Sequence, residues 1–198
     1  MTIVRRLSTL FPAALAALPA LAWLAVPSPA AVIPRPSPEL VIEMVDGRKV
    51  SVGQFKGKVV ALEILLTTCP HCQEASRIMN KLKAEYGPKG FEALGAAIDP
   101  GAREALPNYI RQFGSNLTIG IIPREKAYEF LQQSVMVGLQ MPQLVFIDRK
   151  GNIRAQYDGR SPFFMNEERN MRQHIEELLK EAGGAAPAKK AAAKKGSK

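Results

Sequence analysis

Two cysteines stand in a chain of 198 residues, and they stand together, in Cys69-Pro70-His71-Cys72. Two thiols with two residues between them, placed where an apolar strand gives way to a helix, can meet as a strained but feasible disulfide. Cys69 then caps the helix, where unbonded backbone N–H groups and the macrodipole favour a thiolate. Cys72, one turn on, points inward and is harder to ionise. One exposed nucleophile with one protected partner makes a thiol–disulfide exchange device, its redox group the Cys69–Cys72 pair and no other cofactor. Pro70 and His71 sit where they can tune that pair. His71 has two readings. As imidazolium or hydrogen-bond donor it stabilises a thiolate on Cys69 and makes the disulfide more oxidising. Otherwise it is a surface residue of the first helical turn.

Glu63 lies inside Val59-Val60-Ala61-Leu62-Glu63-Ile64-Leu65-Leu66. A carboxylate in a strand buried on both faces is expensive unless neutralised or paired. One reading makes this an edge strand whose Glu63 reaches solvent. The other makes Glu63 a buried acid beneath the cysteines, able to accept the Cys72 proton as Cys72 attacks a mixed disulfide. Met141-Pro142 stands at the entrance to an apolar run. A proline there is a candidate cis peptide, which would leave the Met141 backbone groups free to pair with an extended substrate, although trans is the commoner state of such bonds.

The elements that must position these residues follow from pattern. Glu39 to Val45, Asp46-Gly47 and Arg48 to Val52 read as a hairpin. Lys58 to Leu66 is a long Val/Ile/Leu-rich run suited to a doubly buried strand. From Pro70 to Tyr86 the pattern is helical, with Ile78, Leu82 and Tyr86 four apart and Gly87-Pro88 as the stop. Phe91 to Ile98 is a second buried strand. Ala102 to Phe113 has helical tendency, with Pro107 expected in its true first turn. Leu117 to Ile122 reads as a short strand, Arg124 to Gln133 as a helix, and Gln143 to Ile147 and Ile153 to Tyr157 as strands about the turn Asp148 to Asn152. Asn166 to Glu181 is a final helix. Strand–helix alternation closed by a hairpin and a helix predicts an α/β sandwich with a mixed sheet.

The ends read differently from the body. The formal charge is +9, from 27 basic and 18 acidic residues. Arg5, Arg6, Lys189, Lys190, Lys194, Lys195 and Lys198 lie in the first and last ten residues; without them the body holds 20 basic against 18 acidic. The basicity is not a patch on the fold, and a nucleic-acid partner is not expected. Residues 1–30 read as an export signal: a positive start, an apolar stretch from Leu7 to Val26, and Ser28-Pro29-Ala30 as a cleavage site. An uncleaved anchor over 7–26 is the alternative, and membrane contact is expected only through it. Either outcome puts the remainder outside the cytoplasm. Residues 31–37 read as a linker, 38–182 as one domain, and 183–198 as a disordered Ala/Lys-rich tail.

Taken together these residues resemble the thioredoxin superfamily, and within it the TlpA/ResA-type thiol–disulfide oxidoreductases of bacterial envelopes. The resemblance runs over about residues 38–182. It is carried by Asp46-Gly47, Phe55-Lys56-Gly57-Lys58-Val59-Val60, Cys69-Pro70-His71-Cys72, Gly138-Leu139-Gln140-Met141-Pro142 and Phe146-Ile147-Asp148-Arg149-Lys150-Gly151. Glu63, six residues before Cys69, falls where such proteins keep a buried acid, and Pro142 where they keep a cis-proline. Thr68 is a departure, since relatives often carry tryptophan there, and Trp23 lies in the leader. The resemblance implies a thioredoxin-like three-layer sandwich with a central mixed sheet and an N-terminal hairpin. It implies a periplasmic reductase that exchanges disulfides with client proteins and draws electrons from a membrane or periplasmic donor. Pro70-His71 looks instead like the dipeptide of DsbA-type oxidases, so direction stays open.

Two other readings are weaker. A peroxide-reducing redoxin carries P-x-x-x-T-x-x-C, and Leu62 and Leu66 stand where that pattern needs proline and threonine. A metal site has only His71 and His174 to add to the cysteines and no second cysteine pair, which disfavours structural zinc and leaves a copper-binding assembly factor as the alternative.

Overall fold

The computed structural model describes residues 32–181; the expected leader and tail lie outside the described residues. Among the described residues eight strands form one mixed sheet, in the spatial order β1 (Arg35–Pro36), β8 (Asn152–Tyr157), β7 (Gln143–Ile147), β4 (Val59–Leu65), β5 (Phe91–Ala97), β6 (Thr118–Ile121), β2 (Val41–Glu43) and β3 (Lys49–Ser51). Its centre is β4 (Val59–Leu65), flanked by β5 (Phe91–Ala97) in parallel and by β7 (Gln143–Ile147) antiparallel. Every residue of these three strands is buried, which is what continuous apolar runs buy when both faces of a sheet are covered. The short strand β6 (Thr118–Ile121) extends the parallel side, and β8 (Asn152–Tyr157) the antiparallel side. The N-terminal hairpin is β2 (Val41–Glu43) with β3 (Lys49–Ser51), and it joins β6 through Glu43 and Ile121.

Three helices cover one face. They are α1 (Pro70–Tyr86), α2 (Ala102–Phe113) and α4 (Glu167–Lys180), whose apolar stripes meet Ala61, Leu65, Ala93, Ile119 and Phe146. The other face packs α3 (Arg124–Leu131) and the hairpin residues Leu40, Ile42 and Val52 against Leu62, Ile64, Leu94 and Val145. The result is a three-layer α/β sandwich. No helix among the described residues is long and apolar enough to cross a membrane.

Three details depart from the pattern reading. Pro107 lies inside α2, which begins at Ala102 rather than near the proline. Pro107 and Arg103, whose carbonyl the missing N–H would have served, are both exposed, so the lost bond falls on the solvent side of the helix. Helix α1 ends at Tyr86 as expected, but Gly87 is right-handed and continues into a 3-10 turn; the left-handed residue is Gly90, at φ +95°. Finally β1 (Arg35–Pro36), within the stretch read as a linker, pairs with β8 through Arg35↔Ile153 and Pro36↔Asn152. Its two residues carry no periodicity to read. Arg35 Nη2 donates to the Phe130 carbonyl at 2.9 Å, tying β1 to the end of α3.

Candidate active site

The site grows from the carboxyl end of β4. The chain leaves Leu65 and makes one short loop. Thr67 fastens it, its backbone N–H donating to Asp99 Oδ1 at 2.9 Å and its hydroxyl to Asp99 Oδ2 at 2.6 Å. Gln73 Nε2 returns to the Thr67 carbonyl at 3.1 Å. Helix α1 then starts with Pro70 in its first turn, where the absent N–H costs nothing. Cys69 is the N-cap, and its Sγ accepts the Cys72 backbone N–H at 3.4 Å. The sulfur thus occupies the position where a helix start offers free N–H groups.

Both cysteines are free thiols, Cys69 half-buried and Cys72 fully buried. Burial pushes the Cys72 thiol far above the ordinary range, and a negative charge on Glu63 adds to that. His71 is exposed at the mouth of the helix, and Thr68 is exposed just before the cap.

Glu63 is fully buried on the central strand, in register with Gly95 of β5 and Leu144 of β7. The edge-strand reading of Glu63 is therefore excluded. Its Oε2 lies 2.7 Å from Ser76 Oγ, and its Oε1 has no hydrogen-bond partner. Burial raises its proton affinity well above the carboxylate range. The Ser76 hydroxyl opposes that shift, while Glu167 and Cys69 reinforce it through their charge. No cation among the described residues sits against it.

Met141-Pro142 reaches the same place from the opposite strand. The antiparallel register Ile64↔Gln143 puts the two residues at the end of β4 from which the chain runs to Cys69. The bond between them is cis. Met141 is half-buried and touches the apolar clusters on both sides of the sheet.

Several residues of the site carry no signal in the sequence. Gly159 donates its N–H to the Gln140 carbonyl at 2.9 Å, and any side chain there would collide with the Met141 carbonyl. Tyr109 comes from α2 to the floor of the site, within hydrogen-bond reach of Ser76 and Cys72. Glu167 opens α4 with a buried, unpartnered Oε1, and burial, then the charge of Glu74, pushes its carboxyl up to about 7. Val135, Met136 and Val137 stand 69%, 89% and 54% exposed on the connection that leads to Met141. Each becomes meaningful only when strands and helices far apart in the chain are brought together.

A half-buried thiol capping a helix, a buried thiol behind it and a carboxyl held without a cation beneath them form a dithiol site on a thioredoxin-like sandwich. The comparisons with known proteins agree with that class. The Redoxin family matches residues 33–175. The thiol-disulfide oxidoreductase ResA of Bacillus thuringiensis subsp. konkukian is 26% identical over 149 residues, covering 75% of this chain and 77% of that one. Among solved structures, a thiol:disulfide interchange protein of the thioredoxin family from Chlorobium tepidum superposes with a TM-score of 0.62 at 22% identity, covering 76% of this chain and 99% of the other. The thioredoxin domain of a Bacteroides vulgatus thiol-disulfide oxidoreductase gives 0.59 at 20%, covering 73% and 96%; both likenesses are of fold. The chain belongs to the Redoxin family and, within the thioredoxin superfamily, is a TlpA/ResA-type thiol–disulfide oxidoreductase.

Proposed function

We propose that this chain acts outside the cytoplasm, exchanging disulfides with client proteins through Cys69-Pro70-His71-Cys72 and working chiefly as a reductase. The Cys69 thiolate attacks a client disulfide. A bond forms between Cys69 Sγ and one client sulfur, the client S–S bond breaks, and the departing client thiolate takes a proton. Cys72 then gives its proton to the Glu63 carboxylate and attacks Cys69 Sγ. The Cys69–Cys72 disulfide forms and the second client thiolate leaves. A thiol donor restores the pair by the reverse exchange.

The supporting observation is the asymmetry of the two thiols above one uncompensated acid. It also bears on how a Glu63 of raised proton affinity can serve as a base. Charge on Cys69 is among the influences that raise the Glu63 proton affinity. Once Cys69 is bonded to a client sulfur, that charge is gone, and Glu63 ionises more readily at the step that needs it.

Clients dock on the face around Met141-Pro142. Thr68 gives that face no ring, and the exposed Val135, Met136 and Val137 supply apolar, adaptable contact instead. His71 favours the thiolate of Cys69 and so sets how oxidising the pair is. The export-signal pattern of residues 1–30 supports the location.

The test is timed alkylation of the reduced protein near neutral pH with mass mapping. We expect Cys69 to be labelled much faster than Cys72, and Cys69→Ser to abolish reduction of a client disulfide. Labelling of Cys72 first would overturn the assignment of roles.

A further inference from the structure

Beneath the cysteines three hydroxyl or carboxyl groups from three elements form an unbroken chain to a backbone carbonyl. Glu63 Oε2 of β4 meets Ser76 Oγ of α1 at 2.7 Å. Ser76 Oγ meets Tyr109 Oη of α2 at 2.9 Å, and Tyr109 Oη lies 3.0 Å from the Cys72 carbonyl oxygen. All of them are buried, Tyr109 being 2% exposed. A serine inside a helix ordinarily turns its hydroxyl to the carbonyl four residues back, here that of Cys72. Tyr109 takes that carbonyl, and the Ser76 hydroxyl is left to face Glu63.

Counting protons fixes the direction of this chain. Three contacts need three hydrogens, while Ser76 and Tyr109 bring one each. The third comes from Glu63. Protonated Glu63 donates to Ser76, Ser76 to Tyr109, and Tyr109 to the Cys72 carbonyl, so every contact is a hydrogen bond. When Glu63 ionises, Ser76 must turn and donate to the carboxylate. The single Tyr109 proton then serves either Ser76 or Cys72, and one contact is lost.

We propose that Ser76 and Tyr109 are positioning residues that set the proton affinity of Glu63, through a hydrogen-bond chain whose Glu63–Ser76 link reverses each time Glu63 gains or loses its proton. The inference deepens the reading of Glu63 as acceptor of the Cys72 proton and rests on it for its catalytic consequence. The other groups that face Glu63 are Cys69 at the cap of α1, Cys72 of α1 and Glu167 of α4. Its neighbours in the sheet, Gly95 and Leu144, carry no charge.

The two residues act with opposite sign. Without Tyr109 Oη the protonated form loses two contacts and the ionised form one, so Tyr109→Phe lowers the Glu63 midpoint. Without Ser76 Oγ the protonated form again loses two contacts and the ionised form one, but that one is the carboxylate's only donor and a charge-assisted bond, which outweighs the neutral pair, so Ser76→Ala raises the midpoint. Net hydrogen-bond energies put each shift at about half to one pH unit.

The experiment is a ¹³C NMR titration of the glutamate side-chain carboxyls in the reduced full chain, with the Glu63 signal identified by its loss in Glu63→Gln. Glu167→Gln separates the signal of the neighbouring acid. We expect opposite shifts in Tyr109→Phe and Ser76→Ala, and an unshifted midpoint in Ser76→Thr, which keeps the hydroxyl. Shifts of one sign in both variants, or none, would overturn the chain. Stopped-flow release of a thiol from its mixed disulfide with Cys69 is measured in the same variants. Opposite NMR shifts that the kinetic pH profile does not follow would uphold the chain and count against Glu63 as the base.

Discussion

Glu63 and Glu92 are glutamates set into neighbouring apolar strands of one sheet, and their surroundings are opposite. Glu92, at the start of β5, is 6% exposed. Lys58 Nζ lies 3.0 Å from its Oε2, and Lys83 pairs with its Oε1. Burial alone would raise its proton affinity, but the hydrogen bonds and charges of Lys83 and Lys58 outweigh burial and hold the carboxyl below its usual range. Glu63 has one hydroxyl and no cation, and burial takes it the other way. A buried acid that fastens structure is given counter-charges; this one beside the cysteines is left without them, and its proton stays available for transfer.

The largest expected difference between the two is in stability. Glu92→Gln strands two lysines that are only partly exposed, and we expect a loss of about 1–3 kcal/mol in urea denaturation at pH 7. Glu63→Gln removes the cost of charging a buried group and leaves stability unchanged or slightly raised. A silent Glu92→Gln would break the comparison.

The pH dependence of stability comes next, with opposite signs. Glu92 has a folded pKa below its unfolded value. Its contribution is complete above the unfolded range of about 4.3 and is lost as pH falls through the folded pKa. Glu63 has a folded pKa above its unfolded value. Its contribution is complete below about 4.3 and is lost as pH rises through the folded pKa. Denaturation at a series of pH values should therefore lose acid-side slope in Glu92→Gln and alkaline-side slope in Glu63→Gln. His174, lowered by burial against Phe146 and Tyr157, also loses stability below about 6.5, so each variant is read as a difference from the parent.

Much of this arrangement was legible in the sequence, because it rests on local signals. Cys69 to Cys72 announce their own spacing. Glu63 stands out because its neighbours are apolar. Strand β7 and helix α1 coincide with their expected bounds because pattern and stop signals agree. What stayed hidden depends on contacts between distant segments. Ser76 reads as an ordinary helical residue until Tyr109, 33 positions on, takes the carbonyl that Ser76 would otherwise bond. Gly159 matters only because the Met141 carbonyl packs against it. Pro107 misled, since a proline is read as a boundary unless the lost bond is known to fall on the solvent side of the helix.

The smallest expected effect refines the structural side of the comparison. Lys58 is 38% exposed where it meets Glu92, and Lys83 is 21% exposed. Lys58→Met leaves Lys83 in place, so its cost in the same urea assay should stay below about 1 kcal/mol. A loss equal to that of Glu92→Gln would mean that Lys58 alone compensates the acid.

The central claim is that Glu63 accepts the Cys72 proton when Cys72 displaces the client. It is tested most directly by single-turnover release of thionitrobenzoate from its mixed disulfide with Cys69, in the parent and in Glu63→Gln, from about pH 6 to 9.5, a span that brackets ordinary thiol titration. We expect the mixed disulfide to form normally in the variant and its resolution to slow by about 100-fold near pH 7, the lower end of the range for general base catalysis. The gap should narrow as rising pH ionises Cys72 unaided. Equal resolution rates across the whole range would contradict the claim and leave Glu63 as a tolerated polar residue in the sheet.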